Sequence, residues 1–113
     1  MPGLDHFRAE QRHRMSLAAQ ILDPVTHQHT PCLLLDLGMG GARVRCSASF
    51  EVGDQTELTL TAPTLWEPLS MPLFVAWVHS EPEGRVVMGL RFQPNSGMQQ
   101  LILAELLRDH DKY

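Results

Sequence analysis

The chain has 113 residues, 43% hydrophobic and 19% charged, with a formal net charge of −4. That length supports one domain with a real core, and that composition excludes a disordered chain. The negative balance excludes a DNA or RNA binder that works by bulk charge, and no run approaches the ~20 apolar residues of a membrane span.

Residues 1–15 are polar and charged, with Arg8, Glu10, Arg12, His13 and Arg14. They read as a flexible Arg-rich arm, and residues 16–113 as the domain. Ser16 to Asp23 has mixed periodicity. It admits a helix, but its end at Asp23-Pro24 suits a strand and a turn. Pro24 to His29 is that turn. Thr30 to Asp36 is short and apolar, which predicts a buried strand. Ala42, Val44 and Cys46 alternate with Arg43, Arg45 and Ser47, which predicts a half-exposed strand. Glu51-Val52-Gly53-Asp54 is a turn. Thr56 to Ala62 again has period two, with Leu58 and Leu60 on one face. Pro63 to Pro72 holds Trp66 and three prolines. It reads as a loop, long enough to be a partner surface. Leu73 to His79 is rich in β-branched and aromatic residues, hence a strand. Glu81 to Gly84 is a turn, and Val86 to Phe92 the returning strand. Gly89 inside it signals a bulge or a close approach.

Then the period changes. Ser96, with Gln99 three residues on, has capping-box spacing. Met98, Leu101, Ile102 and Leu106 follow at helical steps, with Leu103 and Leu107 widening the stripe. A helix over about 96–108 is predicted. Five or six short strands and then one helix predict a small antiparallel barrel, the helix covering one opening.

Between two of the strands stands Asp36-Leu37-Gly38-Met39-Gly40-Gly41-Ala42-Arg43-Val44. Glycine serves where the chain takes positive φ or where something approaches the backbone. The stretch admits two readings. One is a tight connection between antiparallel strands. The other is a small polar site at a strand end, with Asp36 as acceptor and glycine backbone as floor.

The remaining chemistry is sparse. Cys32 and Cys46 have no zinc or redox spacing and lie in apolar strand patterns, so buried reduced thiols are expected. With no signal-peptide core at the N-terminus, a cytoplasmic location is expected. His27 and His29 fall on one side of an extended chain, but two ligands do not make a metal site. No serine or cysteine has a nucleophile setting and no carboxylate dyad is visible. No enzyme activity, metal or cofactor is expected. Arg8, Arg12 and Arg14 place three of the nine basic residues in seven positions. They read as a solvated arm or as a clamp for an anion. Arginine pairs bidentately with phosphate or the O6/N7 edge of guanine, and stacks on bases.

An Arg-rich arm, a first strand, an Asp-led glycine block and a returning strand with Gly89-Leu90-Arg91-Phe92 together resemble the PilZ domain family. The resemblance spans roughly Arg8 to Leu107. It implies an all-β fold, a six-stranded antiparallel barrel with a C-terminal helix, and cyclic di-GMP as ligand. Arg8-Ala9-Glu10-Gln11-Arg12 satisfies the family's R-x-x-x-R arm, although Arg14 is the arginine nearest the first strand. Gly38 stands where the family's D-x-S-x-x-G phrase has Ser, a loss worth about 0.5–1.5 kcal/mol for one hydrogen bond. By this resemblance Arg8, Arg12, Arg14, Asp36, Gly38, Gly40, Gly41 and Arg43 are the candidate ligand-binding residues. Asp36 would accept from the guanine N1–H and N2–H₂, and the arginines would take phosphate and the O6/N7 edge. The expected function is a cyclic di-GMP receptor or adaptor acting on an unidentified protein effector in bacterial motility, biofilm formation or secretion. The alternative is an interaction module of the same fold that binds no nucleotide and docks through Trp66 or the C-terminal helix.

Overall fold

The computed structural model describes residues 17–48, 50–93 and 96–111, with side chains through residue 108. Among the described residues six strands and one α-helix follow in order, β1 (Ala18–Leu22), β2 (His29–Leu37), β3 (Gly41–Cys46), β4 (Gln55–Thr61), β5 (Leu69–Ser80), β6 (Val86–Phe92) and α1 (Gly97–Asp111), with a short 3-10 turn at Pro82–Gly84 between β5 and β6. The strands close into a barrel in the order β1-β2-β3-β6-β5-β4, every neighbour antiparallel. Closure removes the free edges of the sheet, and inward residues fill the interior. Ile21, Val44, Leu58, Leu60, Met71 and Met88 are fully buried there.

The two ends of the barrel are closed differently. β3 and β6 are antiparallel, so the β3–β4 connection leaves at the end opposite to the one where β6 delivers α1. Phe50, from that connection, and Leu103 and Leu106, from α1, all belong to the interior cluster. In a closed barrel such side chains enter through an opening, so the expected barrel with a covering helix is the observed fold. Ser96 caps α1, its Oγ accepting from Gln99 N–H at 3.2 Å. Gln99 Nε2 in turn donates to Ser70 O at 2.8 Å, tying α1 to β5.

Four local expectations change. β2 is not a buried strand: none of its residues is fully buried, and Leu33 is 57% exposed. A strand of an antiparallel barrel has only one face toward the core, whatever the hydrophobicity of the other. The Pro63–Pro72 segment is not all loop, because β5 starts at Leu69, with Leu69 and Met71 buried. Pro72 is tolerated there because its carbonyl accepts from Gln93 N–H at 2.7 Å. Its missing N–H therefore faces the end of β6 and not the β4 ladder. The helix stripe is rotated: Leu103 and Leu106 are buried, while Met98 and Leu101 are exposed. His27 and His29 do not lie on one extended chain, since His27 has φ 61° in a turn organised by Asp23. Among the described residues no group of three His, Cys, Asp or Glu could hold a metal ion, and no helix is long and apolar enough to cross a membrane.

Candidate functional site

Two β-bulges decide which side chains face outward on one side of the barrel. In β2, Leu34 pairs with Val44 and Asp36 with Arg43, so Leu35 is an extra residue. Leu34 packs against the core. Strict alternation would turn Asp36 inward as well, and the extra residue turns it out. In β5, Val75 pairs with Leu90 and Trp77 with Gly89, so Ala76 is extra. Val75 is fully buried, whereas Trp77, two residues on, is 43% exposed. Both bulges act at the same level of the barrel. Asp36 pairs with Arg43, Arg43 with Gly89, and Gly89 with Trp77. An acid, a guanidinium, a glycine and an indole thus form one outward row across β2, β3, β6 and β5.

The β2–β3 turn closes the end of this row. Gly38 N–H donates to Gly41 O at 2.9 Å, and Phe92 N–H donates to Gly40 O at 2.9 Å, which pins the turn to β6. None of Gly38, Gly40 and Gly41 takes a left-handed φ. Gly41 serves close approach instead. A Cβ there would overlap the Leu90 carbonyl oxygen and lie 3.1 Å from its carbonyl carbon. At Gly38 a Cβ would meet only Gly41 O, 4.0 Å away, and at Gly40 nothing. The turn therefore presents open backbone at 38 and 40.

Turn and row together line a groove of about 590 Å³, with Asp36, Arg43, Trp77, Gly89 and Arg91 among its walls. Arg43 Nη2 lies 3.6 Å from Asp36 Oδ2, the two side chains 46% and 69% exposed. An exposed pair of this kind is worth about 0–1 kcal/mol, so a ligand can reassign both groups at little cost. Arg91 pairs with Gly41 on the adjacent level and, among the described residues, makes no ion pair. The groove offers a carboxylate acceptor, two guanidinium groups and an aromatic face. It can hold a planar guest with an N–H-bearing edge and an anionic group.

A second groove, about 660 Å³, continues beyond Trp77 and Arg43 past Arg45, His79 and Glu81. Two of its charged groups, Arg45 and Glu81, are committed to each other. Arg45 donates to Glu81 through Nε at 2.8 Å and through Nη2 at 3.2 Å. The Arg45 hydrogen bond, aided by the charges of Arg45, Arg85 and His79, holds the Glu81 carboxyl below its usual range. This fork fastens the end of the β5–β6 hairpin to β3.

Of the sequence candidates, Asp36, Gly38, Gly40, Gly41 and Arg43 line the one groove. Arg8, Arg12 and Arg14 lie outside the described residues. Sequence reasoning missed Trp77 and Arg91. Trp77 stands in period two with Leu73 and Val75, which places it inside until the extra residue is known. Arg91 is an ordinary outward strand residue until the register sets it beside the turn. Trp66, the anchor of the alternative reading, is fully exposed.

The model of one family, the PilZ domain, matches residues 6–109. No curated protein matches the chain significantly. Among solved structures, the Bacillus subtilis inhibitor of motility MotI/DgrA superposes with a TM-score of 0.62 at 22% identity, over 85% of this chain and 47% of that one. A Xanthomonas campestris protein, described as a tetrameric PilZ domain self-assembled through a helical bundle, superposes with a TM-score of 0.56 at 22% identity, over 76% of this chain and 47% of that one. The chain thus spans about half the length of these two structures, and at this identity the likeness is one of fold. With the barrel, its helix and the family match over nearly its whole length, the chain belongs to the PilZ domain family.

Proposed function

We propose that this domain is a cyclic di-GMP receptor that acts as an adaptor toward a protein effector, and that it performs no chemistry on its ligand. The observation that carries the reading is the outward row of Asp36, Arg43, Gly89 and Trp77 along a groove closed by the glycine turn. Asp36 accepts from the guanine N1–H and N2–H₂. Arg43 and Arg91 face the phosphates or the O6/N7 edge, and Trp77 supplies a stacking wall. Gly38 and Gly40 let the ligand approach the backbone. Arg8, Arg12 and Arg14 would close over it, so that binding changes the surface shown to the effector. That is a population shift by differential contact. A role in motility control is supported by the fold shared with an inhibitor of motility.

Calorimetric titration with cyclic di-GMP tests this. Arg43→Ala and Arg12→Ala are expected to weaken binding. Gly38→Ser is expected to tighten it up to about tenfold, one hydroxyl hydrogen bond's worth. The open space at Gly38 admits the side chain. Absence of heat from both the wild type and Gly38→Ser at tens of micromolar protein overturns the reading. The interaction module then remains, with exposed Trp66 as its anchor.

A further inference from the structure

Gly89 sits in the middle of β6, where glycine weakens a strand. It has no left-handed φ, so conformation does not call for it. Its surroundings do. A Cβ built on Gly89 would overlap Nε1 and Cε2 of Trp77 and stand 2.7 Å from Cδ1, and these three indole atoms are the nearest to it. The ring lies in the space a side chain would take. That space falls between Trp77 and Arg43, since Gly89 is the register partner of both.

We propose that Gly89 is a positioning residue for Trp77. The bulge at Ala76 turns the indole out of the barrel, and the missing side chain at 89 lets it lie down across β6 toward Arg43. Without the bulge the ring points into the core. Without the glycine it stands off the sheet, and the wall shared by the two grooves is lost. Two backbone features thus fix one aromatic face before any ligand arrives, which spares the ordering of that side chain on binding. The seat is a property of the free domain. Only its consequence for affinity rests on the cyclic di-GMP reading.

The test is a double-mutant cycle over Gly89→Ala and Trp77→Ala. In the Gly89→Ala arm, Trp66→Phe leaves Trp77 as the single tryptophan. Gly89→Ala is expected to move the indole Nε1–H resonance, red-shift the emission and lower the thermal midpoint. In a Trp77→Ala background the same change is expected to leave the midpoint level or raise it, because the obstructing ring is gone and alanine is the better strand residue. For cyclic di-GMP, Gly89→Ala and Trp77→Ala are each expected to weaken binding about tenfold, the scale of one stacked base, and together no further. If Gly89→Ala alone fails to fold while the double variant folds, the seat is supported. Equal effects of Gly89→Ala in both backgrounds, or an unmoved indole resonance, overturn it. If the midpoint and resonance behave as expected but no variant binds cyclic di-GMP, the seat stands and the nucleotide reading falls.

Discussion

At Gly41 the demand for glycine comes from β6: its Cβ position is taken by the Leu90 carbonyl. Gly41→Ala is expected to destabilise the domain by about 1–3 kcal/mol, since backbone must move to relieve the overlap. Chemical denaturation would show it as a lower midpoint, and an unchanged midpoint would contradict the close approach. The same substitution at Gly40, where nothing lies within 4 Å, serves as the control. The sequence displayed these glycines beside Asp36 as a unit. It did not say which of them meets backbone and which faces open space, because that depends on a strand about fifty residues away in the chain. The missing hydroxyl at Gly38 was legible from the resemblance to the family's D-x-S-x-x-G phrase. The room to restore it was not.

At the scale of elements, α1 shows how periodicity can name a helix and misplace its buried face. Six apolar residues wrap more than one face, and hydropathy ranks Met98 and Leu101 with Leu103 and Leu106. The opening at the β6 end of the barrel selects Leu103 and Leu106, and Gln99 fixes the rotation by reaching Ser70 O. Leu103→Ala is expected to cost about 3 kcal/mol of stability through the cavity it leaves. Leu101→Ala, on the exposed side, is expected to stay within about 0.5 kcal/mol. Urea midpoints for the pair check the rotation, and equal losses would contradict it. β2 teaches a related lesson. Its apolar run reads as buried, yet a barrel wall buries one face only, and Leu33 remains outside.

For the whole molecule, ionisation is expected to shape both edges of the stability profile. Glu81 is held below its usual range by Arg45, and Asp23 by the N–H groups of Val25 and Thr26. A carboxyl depressed in the folded state contributes stability that is present above its unfolded value. That stability is lost as pH falls through the folded one. The acid limb is therefore expected below about pH 4. At the other edge, burial and then the neighbouring Cys46 push the Cys32 thiol up to about 12 from 9.0. Its contribution is complete below the unfolded thiol value and disappears as pH rises from 9.0 through about 12. Denaturation midpoints across pH are expected to fall at both ends. Glu81→Gln should shallow the acid limb and Cys32→Ala the alkaline one. An alkaline limb untouched by Cys32→Ala would count against burial of that thiol as its cause.

The sequence by itself determined the class of fold, most of the strands and the presence of the helix. Hydrophobic period is a local property that each segment carries with it. It also displayed the acid, the three glycines and Arg43 of the groove, because they are contiguous. Only the tertiary structure decided that Asp36 and Trp77 face outward together. One extra residue in β2 and one in β5 invert the parity of everything that follows. An extra residue is visible only against the strand it pairs with. The row from Asp36 to Trp77 is therefore a product of register, and Gly89 is understood only when the indole that fills its place is seen.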